Sequence, residues 1–253
     1  MARRRVLDLA LPVTGVILAL TLWSGLSVAV PGLPSPARTW GSSGMPGAPA
    51  GAADLPSPGL LTLAGQTLAR TFWGFLAAVA VAAPLGVVLG ASPPITRLAR
   101  PVIAFLRALP PLAWLVPGLL IFGGSEAAVV ATAALCAAGP TMTGIAASLQ
   151  SIADDYWLLA RALRLPGRTR IRAIVIPATA PGVVAACRRG LGAAWAASVA
   201  AEMLTGLTGL GGHVWQQYTT HAGSALAAVV LSGLVGVALD RLMALAEAAV
   251  TRA

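Results

Sequence analysis

The sequence predicts an all-α membrane protein of about six transmembrane helices, with a loop of short cytoplasmic helices between the fourth and fifth. Three observations lead there. Of 253 residues, 57% are hydrophobic and only 10% are charged, against roughly 25% charged in a soluble domain. The mean hydropathy is +0.83, and the apolar residues gather into runs of about 20, the length that crosses a bilayer core as a helix. The arginines flank these runs, as the excess of basic residues on the cytoplasmic side requires.

Composition also excludes functions. All 17 basic residues are Arg, so the phosphate-binding loop G-x-x-x-x-G-K-[ST] lacks its Lys and an ATPase of that kind is absent from this chain. A net charge of +9 would suggest nucleic acid in a soluble protein, but beside apolar spans it reads as membrane topology, and no nucleic-acid partner is expected. Cys136 and Cys187 lie in apolar runs and read as small buried hydrophobes. Neither they nor His213 and His221 show metal-ligand spacing. The chain contains no H-E-x-x-H and no usable Ser/His/Asp grouping, so no catalytic residues and no enzyme activity are expected.

Residues 1–30 read as the first span, covering about Val6 to Val30. Arg3, Arg4 and Arg5 hold its start inside, and its apolar run is too long for a signal-peptide core. Residues 31–60, rich in Pro, Gly, Ser and Ala, have no periodicity and read as a flexible external loop. Residues 61–253 form the core. Span 2 runs from about Leu68 to Gly90, with small residues suited to close helix packing, and leads into a cytoplasmic loop with Arg97, Arg100 and Arg107. Span 3, about Ala108 to Phe122, is interrupted by Pro110, Pro111 and Pro117. Span 4 covers about Ala127 to Ile145. Residues 148–172 carry five Arg and read as two short cytoplasmic helices joined near Pro166-Gly167. Span 5 begins after Pro177 and Pro181 and reaches Met203. Gly206, Gly209, Gly211 and Gly212 then permit tight turns or a re-entrant scoop. Span 6, about Ala225 to Leu242, returns both termini to the cytoplasm.

The stretch LLARALRLPGRTRIRAIVIP resembles the cytoplasmic coupling segment of permeases in binding-protein-dependent ABC importers of type I, the EAA motif. Leu158, Leu159 and Ala160 stand at its first three places, Arg164 at its Gly, and Ile174, Ile176 and Pro177 at its close. Leu158 replaces the family's Glu, which removes a polar contact to the partner. Arg164 replaces a Gly that permits a turn, so the turn is expected to move to Pro166-Gly167. The runs Arg107-Ala-Leu-Pro-Pro-Leu-Ala-Trp114, Ile121-Phe-Gly-Gly-Ser-Glu126, Arg189-Gly-Leu-Gly-Ala-Ala-Trp195 and Ala201-Glu-Met203 resemble the sulfonate, nitrate and taurine group of that family. The likeness extends over Leu68 to Ala249.

The resemblance implies the membrane subunit of an importer in the bacterial plasma membrane, working as a homodimer with an ATP-binding subunit and an external solute-binding protein. ATP and Mg would be used by that partner, and this chain would bind no cofactor. The residues implied in coupling are Leu158, Leu159, Ala160, Arg161, Ala162, Leu163, Arg164, Leu165, Pro166 and Gly167. Their apolar members have the spacing of a helix that lies in a partner's groove; a helix resting on the lipid surface is the competing reading. Charges at membrane depth usually face a cavity or a partner. Glu202, Arg188 and Arg189 are therefore candidates for the translocation pathway, with a structural ion pair as the alternative, and Trp114 is a weaker one. An ion-coupled transporter or channel is the alternative function, disfavoured by the scarcity of acidic residues in the spans.

Overall fold

The computed structural model describes residues 2–43 and 59–252, with side chains from Val13 onward. Eleven α-helices make up these residues: α1 (Ala2–Ala29), α2 (Pro36–Gly41), α3 (Leu60–Ala91), α4 (Pro93–Ala108), α5 (Leu115–Phe122), α6 (Glu126–Gln150), α7 (Asp154–Ala162), α8 (Gly167–Arg170), α9 (Ile176–Thr205), α10 (Leu210–Gln217) and α11 (Ala222–Arg252). Four helical rods are long and apolar enough to cross a membrane: α3, α6, α8 joined with α9, and α11. A fifth crossing is counted if α4 and the helical run Pro111–Phe122, bent by 101° to each other, act as one. The described apolar part of α1 is Val13–Ala29. The arginine triplet at its start lies outside the described side chains.

The centre of the fold is a three-helix sandwich of α3, α6 and α9. The hydrophobic effect between helices is weak inside a lipid bilayer, so close packing must hold them together. The buried face of α3 carries Ala78, Ala82, Gly74 and Gly86 at helical spacing. A Cβ on Gly74 would come within 2.6 Å of the Ala133 Cβ and 2.8 Å of the Val130 carbonyl on α6. On the other side of α6, the backbone of Gly190 in α9 rests directly on the Thr141 hydroxyl. Small residues thus bring the three backbones into contact. A second cluster, built on Leu60, Leu63, Trp195, Leu210 and Leu231, fastens α10 and α11 to this core, and the Trp195 indole donates to the Ser232 carbonyl at 3.1 Å.

The structure differs from the sequence expectations in four places. Residues 36–41, expected within a loop, form a short helix. Ser35 caps it by accepting from the Arg38 N–H, as Ser does well at this position, and it packs on α11 where Gly223 leaves room for Ser42. Residues 44–58 of the expected loop lie outside the described residues. The Arg97, Arg100 and Arg107 segment is also helical (α4); its apolar Ile95, Leu98, Val102 and Phe105 are all exposed. The third difference is that α8 does not stand alone. Gly167–Thr205 is one rod of 39 residues, so the expected second cytoplasmic helix is the first turn of the span. Pro177 does not end it because a wide turn, Ile171–Val175, precedes it, in which the Ile176 N–H donates five residues back to the Ile171 carbonyl. Such a π-turn relieves the crowding that a proline ring causes in a regular helix.

The fourth difference concerns the elbow between α7 and α8. The turn has not moved to Pro166-Gly167. Arg164 itself takes the left-handed conformation, with φ +49°. The Leu165 N–H donates to the Ala160 carbonyl and the Arg164 N–H to the Arg161 carbonyl, both at 3.0 Å. This is the bond pair of a Schellman cap, which normally uses Gly at this position. The apolar contact that usually accompanies the cap is present too, since Leu165 packs against the cluster of Ile152, Ala160 and Ile174.

Candidate functional site

Three constellations follow from this arrangement. The first is the arm formed by α7. Asp154 and Asp155 lie in its first turn and Arg161 in its last, matching the helix dipole at both ends. Ala160 is fully buried and Leu165 half-buried, so these two hold the arm to the base of α9. Tyr156, Leu159 and Leu163 recur at three- and four-residue spacing and are 52%, 53% and 61% exposed, and Leu158 on the flank is 57% exposed. The arm therefore splits the expected coupling residues into an inward anchor and an outward apolar face. Arg161, Ala162, Arg164, Pro166 and Gly167 are exposed around that face.

The second constellation lies at the opposite ends of the rods. Glu202 of α9 is fully buried and accepts from Arg70 of α3 at 2.6 Å, from the Thr67 hydroxyl at 2.8 Å and from the Gly211 N–H at 3.1 Å. Arg70 is 4% exposed. It also donates to the Thr208 carbonyl and, at 2.9 Å, to Glu126 at the start of α6. A buried charge needs a partner of this kind, because removing it from water otherwise costs several kcal/mol. The loop 206–212 folds over the pair. Gly206 ends α9 with φ +68°; a side chain at Gly209 would collide with the Glu202 carboxylate, and one at Gly211 with the Val199 carbonyl. Glu202 thus ties α3, α9 and the glycine loop together, and it faces Arg70. Arg70 and Thr67 are absent from the sequence reading; the available signal was an Arg inside an apolar run, where a charge is expensive. Nearby, burial pushes the His213 imidazole below its usual range, and the ring lies 2.8 Å from the Ser224 hydroxyl.

The third constellation is a cavity of about 720 Å³ bounded by α3, α4, α6 and α9. Its wall is mostly apolar, with Leu85, Leu106 and Leu135 among the lining residues, and Arg107, Arg189, Trp114 and Thr143 supply its polar groups. Arg189 and Trp114, two of the residues expected along a pathway, are therefore brought together here. Arg188 is not. It turns to α11 and holds Asp240 through two bonds of 2.6 and 2.7 Å, with Glu247 at 3.4 Å. Consecutive arginines thus serve opposite faces of α9. Among the described residues, no group of three or more His, Cys, Asp or Glu could hold a metal ion.

Long apolar rods packed through glycine, a bent helix pair beside them and a projecting amphipathic arm are the marks of a multi-pass membrane protein. Residues 57–252 match the model of the binding-protein-dependent transport system inner membrane components, and the chain belongs to that family. It is 36% identical over 182 residues to nitrate import permease protein NrtB of Synechococcus elongatus, covering 70% of this chain and 65% of that protein. It is 29% identical over 180 residues to bicarbonate transport system permease protein CmpB of the same species, again covering 70% and 65%. The chain thus spans just under two thirds of the length of these relatives. Among solved structures, an inward-facing MetNI methionine ABC transporter chain shares the fold, with TM-score 0.66 and 22% identity over 76% of this chain and 96% of that one. A chain of an amino acid ABC transporter solved with histidines gives 0.62 and 18%, over 74% and 92%.

Proposed function

We propose that this chain is the transmembrane subunit of an ATP-driven importer of a small solute. Two copies form the pathway across the bacterial plasma membrane, a solute-binding protein delivers from outside, and a separate subunit using ATP and Mg docks on the cytoplasmic arm. The arginines support the sidedness. Arg97, Arg100 and Arg107, the group from Arg161 to Arg172, and Arg252 flank the rod ends nearest α7, the pattern of a cytoplasmic face. The likeness to a nitrate import permease and a bicarbonate transport permease supports a small anion as the substrate class.

One observation carries the coupling role. An apolar face of Tyr156, Leu159 and Leu163 is held in the open by an elbow whose own anchor, Ala160 with Ile174, is buried. A face so placed suits a dry groove on a partner, and the anchor passes its motion to the rod Gly167–Thr205. Co-expression with the neighbouring transport genes tests this. Purification yields two ATPase copies per two permeases, and uptake into vesicles stops on ATP depletion. Uptake that survives ATP depletion and stops with an uncoupler would instead establish an ion-coupled transporter.

A further inference from the structure

The cavity bounded by α3, α4, α6 and α9 is lined by two arginines and by no acidic residue among the described residues. Two other arginines of the rods are paired, Arg70 with Glu202 and Glu126 and Arg188 with Asp240 and Glu247. Arg107 and Arg189 have neither a hydrogen-bond partner nor an ion-pair partner among the described residues, and none of the described residues lining the cavity is acidic. Both residues are exposed at a mostly apolar wall, and their like charges favour an anion there.

The fold also makes room for Arg189. Its Nη2 lies over the bare backbone of Gly144, where an added Cβ would come within 2.6 Å of it. The guanidinium is thereby seated against α6, in the same wall as Thr143, whose hydroxyl donates to the Gly139 carbonyl at 2.8 Å. That bond uses the hydroxyl proton, so the charged donors at this wall are the two guanidinium forks. A wall that offers donors and no carboxylate favours anions over cations. A planar guanidinium fork matches a planar oxyanion edge to edge. The volume of about 720 Å³ lies within the range of small-molecule sites.

We propose that Arg189 and Arg107 form the anion-recognition site of the translocation cavity, and that its ligand is a small planar oxyanion. This rests on the importer reading above for its place in transport, but not for the binding itself. Arg189, seated on Gly144, makes the fixed contact; Arg107, at the end of the exposed helix α4, closes on the anion from the opposite wall.

Two measurements separate the site from the reading. Binding of nitrate and of bicarbonate is titrated on the purified permease–ATPase complex, and ATP-driven uptake of each is measured in proteoliposomes with the binding protein present. Arg189→Gln should weaken binding at least tenfold and raise the uptake KM by a similar factor, with ATPase stoichiometry and melting temperature unchanged. Arg189→Lys should recover part of the loss, because it restores the charge without the fork, and Arg107→Gln should give a smaller loss of the same kind. The proposal is overturned if the wild-type complex binds neither anion, if Arg189→Gln binds both as tightly as wild type, or if Lys is as poor as Gln. It is also overturned if the losses vanish when phosphatidylglycerol is replaced by phosphatidylcholine, because a lipid headgroup would then be the ligand. Binding without ATP-driven uptake of either anion strikes the importer reading and leaves the site standing.

Discussion

Replacing Arg164 with Gly should stabilise the elbow that carries the arm. An L-residue in the left-handed region costs about 1–2 kcal/mol, and Arg164 sits there with φ +49°. Its side chain is exposed and makes no hydrogen bond or ion pair among the described residues, so truncation removes no contact. Glycine gives back part of the gain, because its unfolded chain is freer by about 0.5–1 kcal/mol. The net is a stabilisation of about 0.5–1 kcal/mol, which is about a two- to fivefold change in an equilibrium constant. Hydrogen exchange reads it directly. The Leu165 N–H, bonded to the Ala160 carbonyl at 3.0 Å, is protected only while the cap is closed. After correction for intrinsic rates, its exchange should slow by about that factor in Arg164→Gly and stay near wild type in Arg164→Ala, which keeps the conformational penalty. Faster exchange in the glycine variant, or equal slowing in both, would refute the view that strain at this residue limits the cap.

Three further outcomes follow from the same geometry. Leu163→Asp puts a charge on the open apolar face of α7; it should leave membrane insertion intact and abolish recovery of the ATPase on purification, whereas Arg161→Ala, a rim residue, should cost about 0–1 kcal/mol of affinity. Gly190→Val drives two methyl groups into Thr141 and the α6 backbone and should destabilise the permease by about 1–3 kcal/mol or more, seen as a lower melting temperature in detergent; an unchanged melting temperature would mean α6 and α9 are not in the contact described. Glu202→Ala leaves the buried Arg70 with the exposed Glu126 as its remaining counter-charge and should cost about 3–5 kcal/mol. The double change Glu202→Ala with Arg70→Met should recover much of that loss in a thermal-unfolding cycle, and no recovery would show that the pair is not what Glu202 is buried for.

The long apolar helices were legible because their signal is local: a run of about 20 apolar residues means the same thing whatever surrounds it. The position of the α7 arm was legible from the motif beginning at Leu158. Its elbow was not, because turn preferences point to Pro166-Gly167, and nothing in the sequence marks Arg164 as the residue that bears a positive φ. Pro177 and Pro181 misled in the same way. Proline signals a break, yet the π-turn at Ile171–Val175 lets the helix run on through Pro177, and Pro181 sits inside α9. The Arg70–Glu202 pair joins residues 132 positions apart, so periodicity carries no trace of it. The sequence marked Arg188 and Arg189 as a pair of deep charges, but their division between α11 and the cavity depends on which way each helix face turns after packing.

The uninterrupted rod from Gly167 to Thr205 has a mechanical meaning. Its 39 residues span about 58 Å at 1.5 Å per residue, roughly twice the hydrocarbon thickness. A rigid body of that length pivoting at its inner end sweeps its outer end through about 1 Å for each degree of tilt. A bilayer-deep event therefore needs only a few degrees at the elbow to displace Glu202 by the length of a hydrogen bond. Two helices meeting at a proline break would have absorbed that rotation as bending, and the wide turn before Pro177 keeps the gear train from slipping.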